Sequence, residues 1–510
     1  MKIIVIGDIS GGGNYHLGDE AMSEVAVEQL QARGAEVTII ADRPEISAPL
    51  YGVPAVRRFE LWREQTRAKK LARMDVIMRA VRGEGDLPEA VRETTEAVRQ
   101  ADAIVVAGGG NLNSHMTENH LLERLLLARI AQHEQIPMYV SSQTVGPVIV
   151  EQDRALLREL ACSVRVFGAR EASTAALMRE LCGDDATIVH TLDDVILMDP
   201  VAEAAELRAS LELPERYIVA SFTMHSGTTG LTREAYYREL ATMLDGIIEA
   251  HDVNVVLLPH MGKLGENNAD REGSDVFGHE RIVHYARSSR IRSFDMMRSS
   301  HLAAVTEAAQ FTLSTRYHPV VFGVGLGVPA VSLVTSYYSA IRMRGALANV
   351  GMESLAIPFE AWGELFGTKL LAALDARREA LMSHVSGVRE TQRSYQSQWW
   401  DGIVADAAGS GAVVTADLEL PQPFEWADAA TQDLMSVVRV GQQKTNLHQL
   451  LHEIEQLGSK QARAELEAKV TAGAKRIEAL THELAELRHR VRPPGAALRD
   501  GLRARLRRKG

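Results

Sequence analysis

Short runs of consecutive apolar residues, each emptying into a small, glycine-bearing polar loop, recur along the first 340 residues. Lys2 to Ile6 leads into Gly7 to Gly18, and Ala103 to Ala107 into Gly108 to Asn113. Met138 to Val140 leads into Ser141 to Pro147, and Val164 to Phe167 into Gly168 to Ser173. Apolar runs this short, without polar alternation, predict strands buried on both faces, as in a parallel sheet. Between the first two, Met22, Val25, Ala26 and Leu30 lie at helical spacing before Gly34, with Asp19 placed to cap the helix. The pattern restarts at Tyr217 to Ser221 and continues through Val253 to Leu258, Phe311 to Thr315 and Ala330 to Val334. The chain therefore predicts an α/β fold of two Rossmann-like halves facing a cleft, residues 1–200 and 210–400. A helix near 370–400 is expected to pack back across both.

Beyond residue 400 the pattern changes. Residues 401–443 have little periodicity and read as a linker. Within 444–492, Leu466, Val470, Gly473, Ile477, Leu480, Leu484, Leu487 and Val491 alternate steps of four and three. That is the seam of a coiled coil, and it predicts a homo-oligomer; one amphipathic helix lying on the body gives a similar stripe. Pro493-Pro494 ends it. The basic amphipathic tail, 493–510, carries Leu498, Leu502 and Leu506 among arginines, a pattern suited to peripheral contact with an anionic membrane or to a solvated tail.

Charge sharpens this division. The formal net charge is −11, yet from Arg488 onward nine Lys/Arg face one acid. An acidic body argues against nucleic acid as a partner, and a basic end suggests local attachment. No apolar stretch approaches a membrane span, the first residues read as a strand rather than a leader, and the two cysteines lack metal-ligand spacing. A cytoplasmic location, extending to the inner face of the membrane, is expected.

The richest chemistry lies in Ser314-Thr315-Arg316-Tyr317-His318-Pro319, at the predicted end of a strand. Open α/β sheets bind ligands at such ends. Arg316 offers a fixed fork for an anion and His318 a group that moves a proton near neutral pH; a surface arginine and a core-capping histidine would leave the same pattern. In extended backbone the two side chains would point the same way. His260 also follows a strand. The glycine-rich first loop is neither a P-loop nor a good dinucleotide fingerprint, although Asp42 mimics a ribose-binding acid. No His/Asp/Glu cluster demands a metal, and no cofactor is expected.

Asn14-Tyr15-His16-Leu17-Gly18-Asp19-Glu20-Ala21, the turn Gly108 to Asn111, Gln143-Thr144-Val145-Gly146-Pro147, Arg170-Glu171 and Ser314-x-Arg316-x-His318 occur in this order. In sequence and spacing they resemble the polysaccharide pyruvyl transferases, over roughly residues 1–350. The resemblance implies a twin-Rossmann fold like the B-type glycosyltransferases. It also implies transfer of the enolpyruvyl carbons of phosphoenolpyruvate onto two hydroxyls of a glycan or lipid-linked sugar, giving a cyclic ketal and phosphate.

By that resemblance Arg316 and Arg170 hold the donor's anionic groups, and His318 is the general acid/base. Asp19 and Glu20 accept hydrogen bonds from the acceptor or act as a second base; for Asp19, plain helix capping competes. Asn14, Gly109, Asn111, Gln143 and Ser314 lie in the matched motifs and are expected at the substrate; His260, from its place at a strand end, is expected to line the cleft with them, although a lone histidine there more often serves the structure. One departure is Ser336 to Arg342, where the family commonly has aspartate or tyrosine followed by lysine; Arg342 would replace the lysine. Two other readings share the frame: a nucleotide-sugar glycosyltransferase, and a non-catalytic coiled-coil scaffold.

Overall fold

A computed structural model describes residues 1–490 apart from 115–116, 224–228, 363–366, 427–428 and 458–459. The basic tail, 493–510, lies outside the described residues. The chain divides into two compact units, Met1–Phe424 and Glu425–Gly510.

The first unit holds both expected halves. In the N-terminal half the strands are β1 (Lys2–Ile6), β2 (Tyr15–His16), β3 (Glu36–Ala41), β4 (Ala55–Arg57), β5 (Ala103–Val106), β6 (Gly109–Leu112), β7 (Met138–Val145), β8 (Val166–Ala169) and β9 (Ile188–His190). All but β2 form one parallel sheet in the order β4-β3-β1-β5-β7-β8-β9, with β6 also on β7. The central strands are buried along nearly their whole length, which is why Ile3 to Ile6 and Ala103 to Val106 show no alternation.

The C-terminal half contributes β10 (Tyr217–Ser221), β11 (Asn254–Leu257), β12 (Met261–Gly262), β13 (Ile291–Ser293), β14 (Thr312–Ser314), β15 (Ala330–Val334) and β16 (Ala356–Pro358). Its parallel sheet runs β13-β11-β10-β14-β15-β16. The remaining strands, β2 from one half and β12 from the other, pair antiparallel with His16 opposite Met261 and Tyr15 opposite Gly262. The Leu17 N–H donates to the His260 carbonyl at 2.9 Å, extending this ladder.

The expected crossing helix spans Arg378–Ala407. Toward its start His384 bonds to the Val350 carbonyl of the C-terminal half. Toward its end Trp399 Nε1 donates to Ser141 Oγ and Trp400 Nε1 to Asp194 Oδ1, both in the N-terminal half. Gln396 Nε2 also donates to Asp194, at 2.7 Å. Burial, and then its neighbour Asp193, push the Asp194 carboxyl up to about 7.

A carboxyl raised in the folded state contributes stability that is full below its ordinary value of 3.8 and is lost as pH rises through 7. Asp194→Asn is therefore expected to flatten the fall in unfolding free energy between pH 4 and 7, by up to about 1.4 kcal/mol per pH unit, and with it the fall in melting temperature. Equal slopes for both proteins in thermal melts would overturn this account.

The linker expected over 401–443 is shorter: helix continues to Ala407, and a second begins at Ala429. In the Glu425–Gly510 unit, helices Ala429–Leu457 and Lys460–Arg490 replace the single coiled-coil helix expected over 444–492. They pack on each other; a Cβ at Gly473 would meet Leu447 Cδ1 at 3.7 Å. Part of the apolar stripe thus finds its partner within the same chain. No helix among the described residues is long and apolar enough to cross a membrane.

Candidate active site

The two halves enclose a cleft of about 400 Å3 at the C-terminal ends of both sheets. From the N-terminal half it is lined by His16, Gly18, Asp19, Gly110 and Asn111, and from the other chiefly by His260, Arg316, His318, Tyr338 and Arg342.

Strand β14 stops at Ser314, and Arg316, still extended at φ −101° and ψ 150°, precedes a helix over Tyr317–Gly325. Pro319 sits in the first turn, where its missing N–H costs nothing. Arg316 and His318 therefore straddle a strand-to-helix turn rather than sharing an extended segment, and both still reach the cleft. Ser314 does not: its hydroxyl donates to the Ser221 carbonyl at 2.7 Å and accepts from the Arg316 N–H at 2.8 Å, fixing the turn from beneath.

His318 packs against the other half. A Cβ on Gly18 would lie 1.7 Å from its Nδ1, so only glycine at that position admits the ring. Its Nε2 is 3.8 Å from Asp193 Oδ2 and makes no hydrogen bond. Burial, reinforced by Arg170, His260 and two further arginines, holds the imidazole well below its usual range, so it is neutral. His260 is likewise held down to about 3 by burial and then Arg316, with Nδ1 3.1 Å from Ser221 Oγ.

The cations divide by whether they are already paired. Arg316 bonds Asp275, a fully buried carboxylate at the start of the helix Asp275–Tyr285. Arg342, on the helix Tyr337–Ala348, has no carboxylate partner among the described residues. Its guanidinium lies 3.8 Å from the Tyr338 ring centre and 5.4 Å from that of Tyr317. A Cβ on Gly110 would crowd Tyr338 Oη at 2.8 Å, Arg170 Nη2 at 2.9 Å and Arg342 Nη1 at 3.2 Å. Gly18 and Gly110 are thus sockets for side chains of the opposite half, His318 in one and Tyr338 and Arg342 in the other.

Several expected site residues turn inward. Arg170 is fully buried and does not reach the cleft; its Nη1 bonds Asp193 at 2.7 Å and its Nε bonds Thr144 at 2.7 Å and Glu171 at 3.1 Å. Its role is to hold Asp193 and Tyr317, whose ring lies 4.2 Å away, behind His318. Glu20 also lies off the cleft, accepting from the Ser10 N–H at 2.7 Å and Tyr51 Oη at 2.5 Å, and burial pushes its carboxyl up to about 8. Gln143 donates to the Ala107 and Ser141 carbonyls, Gly109 backs onto Gln143, and Asn14 accepts from Arg271. All three lie outside the cleft lining. Asp42, the mimic of a ribose acid, accepts from the Gly12 N–H and braces the first loop.

Asp19 stays in the cleft, although the helix begins three residues earlier than expected, at Leu17 with His16 as its cap, so Asp19 lies in its first turn and is not the cap. Burial and then Asp8 raise its carboxyl to about 6. Asp193, Asp275 and Tyr317 were not singled out in sequence. Their partners lie far along the chain, and an aspartate after Ser274 reads only as a helix start.

The family model for polysaccharide pyruvyl transferase matches residues 16–337. A comparison with curated proteins finds no sequence match. Among solved structures, the UDP-GlcNAc 2-epimerase of Neisseria meningitidis bound to UDP-GlcNAc is 11% identical with a TM-score of 0.53, over 81% of this chain and 100% of that one. The sucrose-phosphate synthase of Thermosynechococcus elongatus is 14% identical with a TM-score of 0.50, over 81% and 100%. Identities this low speak for the fold alone, the facing-halves architecture of B-type glycosyltransferases. The family match covers more than half of the chain, including the cleft residues from His16 to Ser336, and the chain belongs to the polysaccharide pyruvyl transferase family.

Proposed function

We propose that this cleft takes phosphoenolpyruvate and transfers its enolpyruvyl carbons to two hydroxyls of a sugar in a cell-surface glycan or its precursor. The observation that carries the reading is the convergence in one cleft of Arg342 and His318, a guanidinium with no carboxylate partner and a neutral imidazole with no hydrogen bond among the described residues, with Arg316. A donor with a carboxylate and a phosphate needs two cationic holds. Arg342 supplies the first, and Arg316, shared with Asp275, the second. The helices beginning at Tyr317 and Tyr337 also open toward the cleft, favouring negative charge.

A proton added to the donor's methylene carbon leaves a cationic carbon bearing the phosphate. One sugar hydroxyl forms the first C–O bond there and releases its proton. The second hydroxyl forms the other as the C–O bond to phosphate breaks, its proton passing to the departing phosphate, so the products are a methyl-bearing cyclic ketal and inorganic phosphate. His318 is the group placed to deliver the first proton. Being neutral in the open cleft, it must first gain one, and the donor's negative charge, by offsetting the surrounding arginines, favours that uptake. Asp19, across the cleft, is the acceptor-side group.

Calorimetry with phosphoenolpyruvate and the intact protein tests the donor, followed by phosphate release in the presence of sugar diols. Saturable binding with net proton uptake, read from buffers of different ionisation enthalpy, supports the reading. A folded protein that binds UDP-sugars and not phosphoenolpyruvate would favour a glycosyltransferase.

A further inference from the structure

The sequence shows no metal-binding pattern, yet folding brings Asp8, His16 and Asp19 together on the N-terminal wall of the cleft. One ligand atom of each lies within 4.8 Å of the other two. Around one ion with bonds of about 2.0–2.2 Å, neighbouring ligand atoms stand about 3 Å apart and opposite ones just over 4 Å. Side-chain shifts of less than about 1 Å would therefore close the group on a cation.

Each residue is held by a different element. Asp8 follows β1, His16 lies on β2 where the ladder to β12 fixes its backbone, and Asp19 lies in the first turn of the helix Leu17–Ala32. Ligands on rigid elements lose little order on binding.

The three groups are also weakly committed elsewhere. Among the described residues Asp8 receives only long contacts, from Asn111 Nδ2 at 3.4 Å and Arg58 Nη1 at 3.5 Å. Arg58 is shared with the Gly7 carbonyl, at 2.6 Å, and with Glu123. The Asp19 carboxylate and the His16 ring make no side-chain hydrogen bond among the described residues. His120, nine-tenths buried, lies near Asp8, and its Nδ1 has no hydrogen-bond partner among the described residues. Ligating carboxylates are themselves usually hydrogen-bonded by a neighbouring polar group, and Asn111 and His120 are the polar groups on hand for Asp8.

We propose that Asp8, His16 and Asp19 bind one divalent transition-metal ion of the Mn2+ or Zn2+ kind, with its remaining positions open to an oxygen-rich ligand in the cleft. One imidazole and two carboxylates suit such an ion better than the all-oxygen set of calcium or the thiolate set of structural zinc. The site rests on these three side chains and is independent of which donor the cleft takes.

The test is titration of chelator-treated, full-length protein with MnCl2 alone, followed by electron paramagnetic resonance. One tight site per chain is expected, with 14N modulation from a bound imidazole. His16→Gln should remove the modulation, and both it and Asp8→Asn should weaken binding by at least about tenfold. Asp252→Asn, on an exposed surface, should change neither. The proposal is overturned if Mn2+ shows no stoichiometric site, or if the bound ion in unaltered protein lacks 14N modulation, a readout that does not depend on any variant folding.

Discussion

His318→Gln is expected to lower ketal formation by about 10²–10⁴ while leaving phosphoenolpyruvate affinity within a few-fold. The glutamine still fits beside Gly18 and keeps a polar end near Asp193, so the cleft retains its shape, but it cannot carry a proton to carbon. A second signature follows from the imidazole's state. Because burial and the arginines hold it neutral, donor binding should take up a proton in the unaltered protein, and affinity should weaken as pH rises above neutral. Both the uptake and its pH dependence should vanish in the variant. Single-turnover rates with donor and acceptor, together with calorimetry in two buffers, separate the effects. Full turnover by His318→Gln would remove this histidine from the chemistry.

Arg342→Ala should weaken phosphoenolpyruvate binding by about 10- to 100-fold, the worth of one or two charge-assisted hydrogen bonds. Arg342→Lys should recover only part, because an ammonium lacks the planar fork and stacks less well on Tyr338. Arg342 is a cleaner probe than Arg316. Removing Arg316 would strand Asp275, a fully buried carboxylate, and its effect would mix binding with folding. Melting temperatures measured alongside the titrations check that Arg342→Ala is folded. Unchanged affinity in a folded variant would place the donor's anionic groups elsewhere.

Much of this architecture was legible in the sequence because the signals were local. Strands buried on both faces read as unbroken apolar runs, and each strand's loop follows it directly, so the cleft could be placed before any side chain was. What stayed hidden depended on distant partners. Arg170 and Arg316 look alike in sequence, each following a strand, yet one is sealed in by Asp193 and Glu171 while the other opens to the cleft. Glu20 follows Asp19 directly, but successive residues on a helix point about 100° apart, so one faces the cleft and the other Tyr51. Gln143 and Ser314 sit in matched motifs as supports of the backbone. The leucine stripe in the last hundred residues has heptad spacing, which calls for an apolar partner surface without saying which element, or whose chain, provides it.

The short ladder between Tyr15–His16 and Met261–Gly262 bears on how such a chain can change over time. It sews together two segments about 245 residues apart, and beside it Gly18 and Gly110 are moulded to side chains of the other half. A gene exchange that replaced one half with that of a relative would have to bring compatible strands, glycines and ring-bearing residues together. The halves should therefore be inherited as a matched set, and new acceptor preferences should arise more readily in the loops lining the cleft than by shuffling whole domains.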